Sequence, residues 1–162
     1  MTLAERLHDA GYATALIGKW HLGDADHAPE TQGFDVNVGG TRWGAPQTFF
    51  WPYRGSGRFG QEFRFVPGLP LGKAGDYLSD KLTDAAISFI DRAGQQPFFL
   101  LLAHHAPHTP IEAPNDLVEH FKPHVFSQIL NTVHEVAGDT FFLQVVGDCN
   151  VKGHRDRSVC RY

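Results

Sequence analysis

A lysine and a histidine stand two residues apart, directly after a short apolar run. The run is YATALIG, and Lys19, Trp20 and His21 follow it before a glycine turn. A short apolar run bounded by glycines predicts a buried strand, which places Lys19 and His21 at its carboxyl end. A lysine at a rigid strand end can bind an anion as a point charge. A solvent-facing lysine beside a packed histidine is the alternative interpretation.

Further histidines follow a second apolar run. PFFLLLA continues into HHAPHTP, which contains His104, His105 and His108. Pro107 and Pro110 exclude a helix that would carry His104 and His108 on one face, so the spacing gives little support to a zinc site. A single loop histidine that donates to an oxyanion is the functional interpretation. Ordinary packing is the alternative for His104 and His105.

Two motifs that bind nucleotides or metals are incomplete in this chain. A P-loop needs Gly, four residues and then Gly-Lys-Ser/Thr, whereas six residues separate Gly11 from Gly18 and Trp20 replaces the hydroxyl residue. The segment HEVAG begins like a zincin helix, but glycine stands where the second histidine is needed. A Gly-x-Ser-x-Gly elbow is also lacking from the sequence. The sequence therefore offers anion-binding groups without an evident nucleophile.

Alternating helices and strands around these residues predict an α/β fold. Thr2 and Glu5 predict a capping box at the start of an amphipathic helix. The predicted helices are 2–10, 76–93, 115–122 and 125–137, and the predicted strands are 12–18, 97–103 and 141–146. Ligands collect beyond the carboxyl ends of strands in open α/β sheets. Both groups of candidate residues follow such strands, so we expect them at one edge of the sheet.

Composition limits the classes of function. The 162 residues and 42% hydrophobic content suit one packed domain, and residues 22–75 keep neither a helical nor a strand period. We expect this stretch to be a long irregular insertion rich in Gly, Pro and aromatic residues. The formal charge of −4 and the lack of a basic stripe argue against a nucleic-acid partner. Neither a signal peptide nor a transmembrane segment is expected from the apolar runs.

GYATALIGKWH resembles the second signature of the sulfatase family. The resemblance continues through LGD, QGFDVNVGG, YLSDKLTDAAISFID and PFFLLLAHHAPHTPIEAP, with similar spacing between the blocks. Its pattern is similar to that of bacterial arylsulfatases of the alkaline phosphatase superfamily. The resemblance implies a partial alkaline-phosphatase/sulfatase-like sandwich, with a central sheet flanked by helices. Residues 1–122 are then part of a sulfatase catalytic domain, and residues 123–162 are a shortened or divergent continuation.

The family resemblance implies specific roles for three residues. Sulfatases hydrolyse sulfate esters with a formylglycine hydrate, and a calcium ion and several cations hold the sulfate. By the motif, Lys19 contacts the sulfate and the formylglycine, and His21 hydrogen-bonds the formylglycine and assists collapse of the sulfated intermediate. His108 binds the sulfate near the leaving oxygen. The expected substrate is a small-molecule or carbohydrate sulfate ester, and the aromatic loop from Trp43 to Phe65 is expected to line its cleft.

The chain also departs from the family pattern. The nucleophile motif Cys/Ser-x-Pro/Ala-x-Arg and the paired aspartates for calcium belong upstream of the block that opens this chain. The resemblance therefore implies an internal fragment of a sulfatase, an incomplete enzyme. Neither Cys149 nor Cys160 has the context of the nucleophile motif. Asp148 and Asn150, in FFLQVVGDCN, are candidate metal ligands.

Two alternatives to a sulfatase stay open at this point. One is a non-catalytic module that binds anions or sulfated glycans with the same cations. The other is a related phosphoester or phosphonate hydrolase of the same superfamily, although the GKWH block favours sulfate. The sequence does not fix the location of the protein, and bacterial sulfatases are often periplasmic or secreted.

Overall fold

A mixed four-stranded sheet forms the centre of the molecule. The computed structural model describes residues 1–121 and the strand at 142–147. The sheet holds, in spatial order, β2 (Val36–Val38), β1 (Ala13–Gly18), β5 (Phe98–Ala103) and β6 (Phe142–Gly147). Strand β1 runs parallel to both β2 and β5, whereas β6 is antiparallel to β5. The predicted α/β class is confirmed, as are the three strands predicted from apolar runs.

Helices cover both faces of this sheet. Helix α1 (Leu3–Asp9) begins at the predicted capping box, in which the Glu5 N–H donates to Thr2 Oγ1 at 3.1 Å and the Glu5 carboxylate accepts from the Thr2 N–H. Helix α2 (Leu78–Ala93) buries one apolar face. Helix α3 (Asn115–Phe121) matches the helix predicted over 115–122. None of the helices in the described residues has the length and apolar character needed to cross a bilayer.

The core has two parts because alternate strand residues face opposite sides of the sheet. On the α2 side, Ile17 and Leu100 pack with the buried face of α2. On the α1 side, Leu16 and Phe99 pack with Ala4 and Phe34. Strand β1 is therefore buried on both faces, as its continuous apolar sequence predicts.

The middle of the chain differs from the expected irregular insertion. It contains two short 3-10 helices, the edge strand β2, and a hairpin of β3 (Gly55–Gly57) and β4 (Gly60–Arg64). Glu112 holds the loop that precedes β3, because its carboxylate accepts hydrogen bonds from Thr48 Oγ1 at 2.9 Å and from the Phe49 N–H at 2.7 Å. Long-range contacts order this segment, and they have no local periodic signal.

Some sequence predictions fall outside the described residues. The helix predicted over 125–137 lies there, as do Asp148, Cys149, Asn150 and Cys160. The division of the chain at residue 122 stays a prediction.

Candidate active site

The ends of β1 and β5 bring Lys19 and the histidine loop together. The two strands are parallel and in register from Ala13 opposite Phe98 to Gly18 opposite Ala103. The Lys19 N–H then donates to the Ala103 carbonyl at 2.7 Å, which extends the ladder by one residue. The residue after Ala103 begins the histidine loop. The expectation that both groups share one edge of the sheet is therefore confirmed.

Gly18 makes this junction possible. Its φ of +112° lies in the region that favours glycine, and a Cβ built on it would stand 1.8 Å from the Ala103 carbonyl oxygen. The two strand ends can approach this closely only because position 18 carries no side chain. Lys19 is placed beside the histidine loop as a consequence.

His21 is held by a loop from the middle of the chain. Its φ of +59° is a left-handed conformation, unusual for a residue other than glycine. The His21 N–H donates to the Thr41 carbonyl at 3.0 Å. Gly44 lies against the imidazole, since a Cβ at position 44 would stand 2.7 Å from Nδ1. The loop therefore fixes both the backbone and the ring of His21.

Positive charge surrounds His21. Partial burial lowers the pKa of His21, and the neighbouring Lys19, His108 and Arg64 lower it further. Because its ordinary value is 6.5, the imidazole is mainly neutral at pH 7. Lys19 and His108 therefore lie close enough to His21 to act on its charge, and the roles of the three residues stay a prediction. Arg64 joins them from β4.

The tautomer of His108 follows from its contacts. The backbone N–H of His108 donates to the His105 carbonyl at 2.9 Å. In the ring, Nδ1 lies 2.6 Å from the Thr109 carbonyl oxygen. A carbonyl oxygen only accepts, so the proton of this contact resides on Nδ1. The exposed Nε2 of His108 then remains available to a ligand. Burial also lowers the pKa of the nearby Lys19 ammonium.

Two residues of this neighbourhood were not singled out from the sequence. The sequence favours ordinary packing for His105, whereas in the structure the residue is only 3% exposed and its Nδ1 has no hydrogen-bond partner within the described part of the chain. Arg64 is not among the residues that the sequence predicts for the site, although residues 63–65 alternate Phe, Arg and Phe. That alternation is the strand signal that turns Arg64 away from its two exposed neighbours.

This arrangement suits a tetrahedral oxyanion. An ammonium, one exposed imidazole nitrogen and a neutral imidazole lie at the open edge of a rigid sheet. The Lys19 ammonium, and the Nε2 of His108 when this imidazole carries both protons, are preorganised donors. Such donors stabilise charge on a transferred group because they need no rearrangement during the reaction.

The sulfatase family profile matches residues 1–142. The chain belongs to the sulfatase family. It is 31% identical over 157 residues to an uncharacterised sulfatase, YdeN, of Escherichia coli, covering 88% of this chain and 27% of that protein. It is 33% identical over 134 residues to an arylsulfatase of Klebsiella aerogenes, covering 75% and 27%. For the N-acetylgalactosamine-6-sulfatase of the dog the values are 35% over 132 residues, 68% and 23%.

The sulfatase chain spans about a quarter of the length of these relatives. The family resemblance and the α/β class predicted from the sequence are both confirmed. The family also implies calcium and a formylglycine. Within residues 1–121 no group of three or more His, Cys, Asp or Glu is gathered to hold a metal. The site described here consists of cations and imidazoles, which do not fit calcium, an ion that takes oxygen ligands.

His105 predicts how stability depends on pH. Burial is the main cause that lowers the pKa of His105 from 6.5 to about 3, and the positive charges of Lys19, His104 and His108 are the smaller causes. Between these values the unfolded chain binds the proton and the folded chain does not, so stability falls with falling pH. Going from about pH 7.5 to about pH 5 is expected to cost about 2 kcal/mol through this residue. Urea unfolding at both pH values measures this difference.

The matched variant is His105→Gln, which carries no titratable group at this position. Its loss of stability over the same interval is expected to be smaller than that of the wild type by about 2 kcal/mol. Equal losses in the two proteins would show that His105 titrates normally in the folded state.

Proposed function

We propose that this chain forms the sulfate-binding part of a sulfuric ester hydrolase. The observation that carries the proposal is the junction of β1 and β5, which sets Lys19 next to the histidine loop. Membership of the sulfatase family supports it. The arylsulfatase and N-acetylgalactosamine-6-sulfatase names of the relatives point to aryl or carbohydrate sulfate esters as the substrate class.

In the proposed mechanism, each of three side chains has a distinct task. The Lys19 ammonium offsets negative charge on the sulfate oxygens as the ester bond breaks. Neutral His21 would accept the hydroxyl proton of the formylglycine hydrate, which its lowered pKa permits at neutral pH. His108, with Nδ1–H held by the Thr109 carbonyl, donates from Nε2 to the leaving oxygen once protonated. Two imidazoles in different surroundings thereby serve as base and acid.

The sulfatase nucleophile is proposed to be a formylglycine, whose hydrate supplies the oxygen that attacks sulfur. Cys149 and Cys160 lie outside the described residues, so we assign neither to that role. Calcium is proposed for the whole protein, and no step is assigned to it here.

Hydrolysis of matched esters tests the proposal. The whole protein, with the formylglycine proposed above, is given 4-nitrophenyl sulfate and 4-nitrophenyl phosphate, and release of nitrophenol is followed. We expect turnover of the sulfate and a kcat/KM for the phosphate that is lower by about 100-fold or more. Faster phosphate hydrolysis would identify a phosphoester hydrolase instead. Saturable binding of the sulfate ester without turnover would identify a non-catalytic binding module.

A further inference from the structure

The segment 41–45 packs against His21, and the β3–β4 hairpin packs against this segment. The carbonyl oxygen of Thr41 accepts a hydrogen bond from the backbone N–H of His21, and Gly44 packs on the His21 imidazole. Because His21 has a left-handed backbone, its conformation depends on such contacts. Anything that fixes segment 41–45 therefore also fixes His21.

Strand β4 and the residue that follows it, Phe65, hold this segment by three contacts. Arg42 pairs with the Glu62 carboxylate. The indole N–H of Trp43 donates to the Phe65 carbonyl at 3.2 Å. The guanidinium of Arg64 donates to the Ala45 carbonyl at 3.4 Å. The three contacts hold three of the five residues of the segment, Arg42, Trp43 and Ala45.

Successive side chains at the end of β4 differ in their exposure to solvent. Phe63 and Phe65 are 55% and 41% exposed, whereas the side chain of Arg64 is only 18% exposed. Along a strand, neighbouring residues face opposite sides. The side chain of Arg64 therefore packs inward on segment 41–45, whereas Phe63 and Phe65 are more exposed. The ring of Phe65 also contacts Trp43 of the segment, with 5.2 Å between the ring centres.

The charge of Arg64 is held in place by neighbours of its own hairpin. Its Nε lies 3.0 Å from a Glu62 oxygen, and its Cζ lies 4.4 Å from the ring centre of Phe59. A planar guanidinium can make the ion pair and the ring contact at once, which a lysine ammonium cannot reproduce in geometry. Glu62 thus binds both Arg42 and Arg64, and it is the central residue of this contact.

We propose that Glu62 and Arg64 are positioning residues that hold segment 41–45 on His21 and keep its imidazole oriented. The inference rests on the proposed function, since His21 is the proton acceptor there. Three groups face the imidazole: Lys19 from the end of β1, His108 from the loop after β5, and Arg64 from β4. Only Arg64 belongs to the hairpin, so its removal separates the hairpin's contribution from that of the site.

Titration of the His21 imidazole by NMR tests this inference on the full chain, independently of turnover. Arg64→Met removes the charge, and the pKa of His21 is expected to move upward. Arg64→Lys keeps the charge, and the pKa of His21 is expected to return toward its wild-type position. Glu62→Gln is expected to alter the chemical shifts of His21, whereas Asp91→Asn, at an exposed acid on α2, leaves them unchanged.

Kinetics of the whole protein on 4-nitrophenyl sulfate supply the second measurement. Glu62→Gln and Arg64→Met are each expected to lower kcat about tenfold with little change in KM, because misplacing a reacting group costs rate rather than binding. A hairpin with a structural role alone would lower the melting temperature and leave the His21 titration unmoved, and that result would overturn the inference. A wild type without turnover contradicts the proposed function, while the His21 titration still decides this inference.

Discussion

Replacing Lys19 by methionine is expected to lower kcat/KM for a sulfate ester by at least about 100-fold. Methionine keeps most of the length of the side chain and removes its charge. The sulfate oxygens gain negative charge toward the leaving group, and the ammonium at the sheet edge is the group that offsets it. Initial rates with 4-nitrophenyl sulfate measure the loss, and the melting temperature confirms that the variant is folded.

Lys73→Met is the matched control, because Lys73 is exposed on the segment that precedes α2. We expect it to retain wild-type kcat/KM. Arg at position 19 keeps the charge with a different geometry, so Lys19→Arg is expected to fall between the wild type and Lys19→Met. Full activity in Lys19→Met would show that this lysine does not contact the transferred group.

Gly18→Ala is expected to destabilise the fold by at least about 3 kcal/mol. The new Cβ would stand 1.8 Å from the Ala103 carbonyl oxygen, and both atoms belong to backbone that cannot rotate away. Strands β1 and β5 would have to separate at the end that carries Lys19. Urea unfolding measures the effect, and the same variant is expected to lose sulfate binding while it is still folded.

Gly11→Ala separates the steric effect from the backbone effect. Gly11 also has a positive φ, +86°, but a Cβ there would meet nothing within 4 Å. Its cost is expected to be about 1 kcal/mol, the penalty for a left-handed alanine. Equal costs at positions 11 and 18 would mean that the strand ends tolerate a wider spacing than the register of β1 and β5 indicates.

Local periodicity predicted the elements that carry the site. The capping box of Thr2 and Glu5, the buried face of α2 and the apolar run of β1 were each visible in the sequence, because each obeys a local rule. The neighbourhood of Lys19 and His108 followed from one further rule, that ligands gather beyond the carboxyl ends of strands in open sheets. This rule alone places the two residues at one edge of the sheet.

Residues whose role depends on distant contacts could not be predicted in the same way. The two strands of the hairpin β3–β4 are three and five residues long, and glycines stand at both ends of β3 and at the start of β4, so the hairpin has little periodic signal. The role of Arg64 depends on Ala45 and Glu62, and His105 is set apart by burial under residues from elsewhere in the chain. Neither the contacts of Arg64 nor the burial of His105 can be inferred from the residues next to them in the sequence.

Titration of the protein with inorganic sulfate, followed by NMR of the histidine side chains, tests most directly that Lys19, His21 and His108 form one anion site. The account predicts that the signals of His21 and His108 move together with one saturation midpoint. It also predicts that Lys19→Met weakens this binding. Signals that move with different midpoints, or binding that is unchanged in Lys19→Met, would contradict the shared site.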